Sequence, residues 1–242
     1  MISAAKGLWG ENIDACLRPL TVVSGFFFPR FLIVAAAMNP TYRICHSLAR
    51  VIGRVVFDHE VIHRERLIED GPALIVCNHV SYLDPPMVGI AFRKDIWFLA
   101  RKSLFTGFGA WLYPRLNVIP VDQDQPDMTG LKNIIRLLQR GERVLLFPEG
   151  SRSWDGTLDK GEPGVGLVLA KTGVPVQPLR IFGAHEAMAR GATLPKPSKI
   201  RVVVGEPLIF TPEERAVKGK DGYTQLSAKM MQAIAALELP PG

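Results

Sequence analysis

The chain has 242 residues, a formal net charge of +6 and 48% hydrophobic residues, with a mean hydropathy of +0.15. That length holds one large α/β domain with room for an added N-terminal element, and the hydropathy is too low for a multi-span membrane protein. The basic balance suits an anionic partner. With no Lys/Arg-rich run interleaved with aromatics, that partner is expected to be phospholipid headgroups or a phosphorylated substrate, not nucleic acid.

Cys16, Cys45 and Cys77 are widely spaced and odd in number. They fit neither a metal site nor a disulfide set, so thiols in a reducing compartment are expected. Residues 19–42 carry a single charge, Arg30, beside Pro29. One transmembrane helix here would place the arginine near the bilayer centre at about 2.5–3.5 kcal/mol, and the proline would interrupt its hydrogen bonds. Two short apolar helices entering one leaflet fit better. A cleaved signal peptide is disfavoured by Glu11 and Asp14 in the opening stretch.

Residues 41–56 have helical periodicity. Arg43, His46, Arg50 and Arg54 share one face, and Ile44, Leu48, Val51, Ile52 and Val55 the other. Two readings are open: a surface helix packed on the domain, or an interfacial helix whose arginines meet anionic headgroups. The first 56 residues are therefore expected to be membrane-associated helices, and residues 57–242 an α/β domain.

Beyond residue 57, apolar runs read as strands at 73–77, 96–100, 118–121, 144–147, 174–181 and 200–204. Helical patterns fall at 86–92, 103–113, 129–140, 164–172 and 223–237, with loops expected at 194–199 and 219–222. Alternation of this kind predicts a largely parallel central sheet flanked by helices.

Three segments stand out. Asn78-His79-Val80-Ser81-Tyr82-Leu83-Asp84 follows the 73–77 strand, where open α/β sheets line their ligand crevice. On a continuous helix His79 and Asp84 would sit about 140° apart; Pro85-Pro86 forces a loop that lets them meet. His79 can then be a general base oriented by Asp84. Alternatively, Asp84 caps the next helix and His79 is a satisfied buried histidine. The second segment, Phe147-Pro148-Glu149-Gly150-Ser151-Arg152-Ser153, is a glycine turn with an arginine: an anion cradle or an ordinary polar turn. In the third, prolines interrupt 174–179, so no fully paired central strand is expected there.

Taken together and in this order, these segments resemble the glycerolipid acyltransferase family, which includes 1-acyl-glycerol-3-phosphate acyltransferases. Asn78, His79 and Asp84 match its Asn-His-x-x-x-x-Asp motif, residues 147–153 its Phe-Pro-Glu-Gly-Ser/Thr-Arg-Ser motif, and 174–179 its proline-containing motif. The segment 116–123 departs from the pattern, with Leu116 where glycine is frequent and Gln123 in place of an arginine associated with the acceptor phosphate.

The resemblance implies direct acyl transfer with His79 and Asp84 as catalytic pair. Glu149, Gly150, Ser151 and Arg152 would position the acceptor headgroup, with Arg101 adding charge and Lys102 in reserve. The acceptor would be a lysophospholipid, foremost 1-acyl-sn-glycerol-3-phosphate, and the donor an acyl-CoA or acyl-carrier-protein thioester. No cofactor or metal is expected. The enzyme would sit on the cytoplasmic face of the cell membrane, monotopic or peripheral, against an anionic surface. Two rivals remain: a serine hydrolase or thioesterase, for which the chain lacks a Gly-x-Ser-x-Gly elbow but has Ser81 near His79, and a non-enzymatic lipid-binding module, favoured only if His79 and Asp84 are dispensable.

Overall fold

Five successive apolar residues form strand β2 (Ala73–Cys77), and all five are fully buried. A strand with no polar face needs cover on both sides, which a parallel sheet between helices provides. The structure, a computed structural model, describes residues 39–122 and 128–241. Strand β2 pairs in parallel with β5 (Arg143–Leu146) and with β6 (Val176–Phe182). Beyond β6 lie the antiparallel β7 (Arg201–Val204) and then β1 (Glu60–Ile62), parallel to β7, giving the order β1-β7-β6-β2-β5. The parallel pair β3 (Phe98–Arg101) and β4 (Val118–Val121) forms a second sheet. Backbone hydrogen bonds of Trp97 with Arg143 and Leu145, at 2.8 and 2.9 Å, tie it to β5.

Alternate residues of the central strands feed two cores. Ile75, Cys77, Leu145 and Leu179 pack with Met87 and Val88 of α2 (Asp84–Gly89). Leu74, Val76, Val144 and Leu146 pack against α4 (Met128–Gln139), α5 (Pro163–Thr172) and α8 (Gly219–Ala235). The fold is α/β, with a mostly parallel sheet flanked by helices. The other helices are α1 (Pro40–Val56), α3 (Gly107–Leu112), α6 (Ala184–Ala187) and α7 (Pro212–Arg215).

Three details differ from the sequence expectation. First, β6 is an interior strand, although its pairing is incomplete at Pro178, as expected from its prolines. The Pro178 carbonyl accepts from Gly205 N–H at 2.9 Å, and the β7 ladder begins only at Leu179, so the missing N–H is not needed. Gly205 is small for a reason: a Cβ there would meet the Pro178 ring at 2.9 Å. Second, residues 219–222 are the first turn of α8 and not a loop, and a Cβ at Gly222 would meet the Val217 side chain at 2.7 Å.

Third, α1 turns part of its polar side, not its apolar side, to the domain. Arg50 donates to the Ile90 and Phe92 carbonyls at 3.3 and 3.0 Å, and His46 Nε2 lies 3.1 Å from the Phe92 carbonyl. These carbonyls follow α2, and cationic donors suit a helix C-terminus. Ile44, Leu48, Val51 and Val55 are consequently between 58% and 78% exposed. Of the four residues expected on a lipid-facing basic face, His46 and Arg50 are thus bonded to the domain. The expected apolar helices in residues 19–42 lie outside the described residues for all but their last few positions, as do Cys16 and Gln123. Among the described residues no helix is long and apolar enough to cross a membrane.

Candidate active site

Where β2 ends, the Asn78 side chain stands in for a strand residue. Its Oδ1 accepts from Ile181 N–H at 2.8 Å and its Nδ2 donates to the Ile181 carbonyl at 3.1 Å. The turn that follows is thereby held against β6, with His79 at its start and Asp84 at its end. Asp84 opens α2 and is followed by Pro85 and Pro86. Prolines have no N–H to offer a capping carboxylate, so the side chain folds back over the turn instead. Asp84 Oδ2 accepts from the Val80 and Ser81 N–H groups and meets His79 Nδ1, each at 2.7 Å. The helix-cap alternative is therefore overturned.

Asp84 is fully buried, and an ionised carboxylate only accepts hydrogen bonds. The hydrogen of the neutral imidazole therefore belongs on Nδ1, which leaves the Nε2 lone pair free. The ring stacks on Phe147 with centroids 3.9 Å apart, so its plane is fixed from two directions. His79 lines a cavity of about 480 Å³. The cavity's apolar lining includes Ala49 of α1, Pro86 and Gly89 of α2, and Phe98 and Leu99 of β3; its basic lining is Arg101, Arg152 and Arg190.

The 147–153 turn is tied to the His79 turn by its backbone: Ser153 N–H donates to the His79 carbonyl at 2.8 Å. Glu149 makes the second tie, accepting from His79 N–H at 2.9 Å and from Asp159 N–H at 3.3 Å. Burial pushes its carboxyl up to about 7 against the lowering effect of those two donors. Gly150 has a φ of +71°, which a side chain would strain, and it turns the chain so that Ser151 and Arg152 line the cavity. The Arg152 guanidinium lies 3.3 Å from the Tyr82 ring centroid, and its buried Nη1 has no hydrogen-bond partner among the described residues.

Of the expected site residues, His79, Arg101, Ser151 and Arg152 line the cavity, while Asp84, Glu149 and Gly150 stand behind its wall. Glu149 acts on the backbone of His79, not on the space a substrate would fill. Lys102 turns to Asp122 at 3.4 Å, leaving Arg101 as the lining residue of the pair. Ser81 is buried; its hydroxyl donates to the Met188 carbonyl at 2.7 Å and accepts from Leu83 N–H at 3.1 Å, which argues against a serine nucleophile. No group of metal-ligating side chains occurs among the described residues.

Three contributors went unread in the sequence: Tyr82 under Arg152, Phe147 on His79, and Arg190. Arg190 donates to the Arg152 carbonyl at 3.0 Å and lies 3.9 Å from the Trp154 ring centroid. Tyr82 and Phe147 belong to segments already singled out, whereas Arg190 carries no local signal and reaches the cavity only through the fold.

The histidine oriented by a buried carboxylate thus opens on a cavity that joins an apolar wall to several arginines. Residues 58–182 match the acyltransferase family; the chain belongs to it and is an O-acyltransferase. It is 30% identical over 202 residues to the 1-acyl-sn-glycerol-3-phosphate acyltransferase of Bacillus subtilis (strain 168), covering 81% of this chain and 96% of that protein. It is 32% identical over 143 residues to the chloroplastic 1-acyl-sn-glycerol-3-phosphate acyltransferase LPAT1 of Arabidopsis thaliana, covering 57% of this chain and 40% of the relative. The crystal structure of the 1-acyl-sn-glycerophosphate (LPA) acyltransferase PlsC from Thermotoga maritima aligns with a TM-score of 0.65 at 23% identity, over 82% of this chain and 81% of that one. That likeness shows the fold.

Proposed function

We propose that the chain moves a fatty acyl group from a coenzyme A or carrier-protein thioester to the free hydroxyl of 1-acyl-sn-glycerol-3-phosphate, giving phosphatidic acid in phospholipid biosynthesis. The observation that carries this reading is the His79–Asp84 contact of 2.7 Å at the wall of a cavity lined by Arg101, Arg152 and Arg190. His79 Nε2 takes the hydroxyl proton as the oxygen bonds to the thioester carbonyl carbon. Asp84 stabilises the imidazolium that results. The tetrahedral adduct collapses, the C–S bond breaks, and the leaving thiolate takes the proton from Nε2. Atoms and charge balance without a cofactor or an acyl-enzyme.

The arginines suit a phosphate-bearing acceptor, since a guanidinium fork matches phosphate oxygens, and the apolar wall suits an acyl chain. The names of the relatives point to the same acceptor. The test is acyl transfer by the purified protein across a panel of lysophospholipids and an uncharged monoacylglycerol, repeated with Arg152→Ala. The phosphate monoester should be preferred. Arg152→Ala should lower kcat/KM for it by roughly tenfold or more, the worth of a charge-assisted hydrogen bond, while leaving the donor's KM nearly unchanged. Equal turnover of the uncharged acceptor by the wild type would refute this acceptor.

The enzyme would work from the cytoplasmic face of the cell membrane, seated on one leaflet without spanning it. The exposed row Ile44, Leu48, Val51 and Val55 of α1 supports that seat, as does the net charge of +6. Leu48→Asp with Val55→Asp should weaken binding to phospholipid vesicles by more than about tenfold, given what burial of two such side chains contributes. Unchanged sedimentation with vesicles would place the seat elsewhere.

A further inference from the structure

A second cavity of about 290 Å³ adjoins the catalytic one, with Ile90 lining both. Arg50 and Arg54 of α1, and His59 and Arg64 beside β1, line it together with Val51 and Val61. No carboxylate is among these lining residues. Arg50 is hydrogen-bonded, but to the uncharged Ile90 and Phe92 carbonyls. The Arg54 and Arg64 guanidiniums have neither a hydrogen bond nor an ion pair among the described residues. Glu69, which acts on Arg64 at a distance, is already engaged by the Arg93 N–H at 2.9 Å and by Arg143 at 4.0 Å. His59 Nε2 is buried and has no hydrogen-bond partner among the described residues. Burial pushes that ring down to about 4, and Arg201, Arg64 and Arg50 push in the same direction.

Three arginines with no carboxylate among the lining residues surround one cavity and make a place for an anion, while the His59 ring beside them stays neutral. Guanidinium groups converging on a small space fit the oxygens of a phosphate. Position decides which phosphate. Val51 belongs both to this cavity and to the exposed apolar row of α1 with Leu48 and Val55. A ligand with its phosphate among the arginines would therefore lay an apolar tail along that row. We infer that this cavity binds the headgroup phosphate of an anionic membrane phospholipid, separately from the acceptor in the catalytic cavity. The inference stands on the charge and shape of the cavity and does not rest on the acyl-transfer reading.

The experiment compares the full chain, an Arg54→Gln/Arg64→Gln pair and an Arg43→Gln/Arg93→Gln pair. Each double variant removes two positive charges, but Arg43 and Arg93 are exposed and lie outside the cavity lining. Binding is measured to phosphatidylcholine vesicles with and without phosphatidylglycerol, alongside the KM for a long-chain acyl-CoA. The cavity pair should lose roughly thirtyfold in affinity for the phosphatidylglycerol vesicles, about fivefold per arginine, as expected for basic groups at an anionic surface. The outer pair should lose no more than about fivefold. Turnover of a short-chain, water-soluble acceptor should be unchanged in both. Should the cavity pair fold poorly, the single variants Arg54→Gln and Arg64→Gln are compared with Arg43→Gln and Arg93→Gln taken singly, with a loss of about fivefold expected for each of the first two and about twofold or less for each of the others. Equal losses for the two pairs would mean diffuse attraction and overturn the site. A raised KM for acyl-CoA with unchanged vesicle binding would assign the cavity to the donor's phosphates and overturn the lipid.

Discussion

Replacing His79 by alanine is expected to lower kcat by about 10²–10⁴-fold, the usual contribution of a positioned general base, in a protein that still folds. An alcohol at neutral pH is a poor nucleophile, and of the side chains lining the cavity, His79 is the one oriented by the buried carboxylate of Asp84. Folding should survive because Asp84 Oδ2 keeps the Val80 and Ser81 N–H donors at 2.7 Å, so no charge is left stranded by the change. Initial rates of thioester consumption with saturating acceptor, measured beside a thermal melt, check both halves. Near-normal turnover by folded His79→Ala protein would remove the histidine from the mechanism.

The parts of the fold legible in the sequence are those where the chain has no choice. Strand β2 is apolar at every position and buried on both faces, and its bounds Ala73–Cys77 follow directly; β4 is equally plain. Strand β1 has only three residues, none buried, so it carries no apolar run and is defined by its register with β7. The 219–222 stretch reads as a turn because of its glycines, while in the fold it opens α8, with Gly222 too close to Val217 for a side chain. Periodicity located α1 correctly but could not say which face is turned inward, since that depends on carbonyls left by α2 more than thirty residues away. The meeting of His79 with Asp84 was legible because Pro85 and Pro86 constrain the loop. The role of Glu149 was not: its acceptors are spent on backbone N–H groups that only the folded turns bring together.

The carboxylate of Asp84 should show stability and activity moving apart. It is fully buried, three donors converge on Oδ2, and Oδ1 has no partner. Asparagine preserves the shape, and its carbonyl oxygen can still accept from Val80 and Ser81. What it loses is the negative charge that holds the hydrogen on Nδ1 and, in the proposed mechanism, stabilises the imidazolium formed during transfer. In serine proteases the same change leaves geometry intact and lowers kcat by roughly 10⁴-fold, and a loss of about 10³–10⁴-fold is expected for Asp84→Asn here. Its unfolding free energy should stay within about 1 kcal/mol of wild type, because an uncharged amide no longer needs solvation that the buried site withholds. Asp84→Ala, by contrast, strands the Val80 and Ser81 N–H groups and should cost about 2–6 kcal/mol, at roughly 1–3 kcal/mol for each unsatisfied group. Urea denaturation of the two variants beside their initial rates separates these effects. If Asp84→Asn turned over substrate like wild type while Asp84→Ala was merely unstable, Asp84 would be a structural tie for the turn and not the partner of the catalytic histidine.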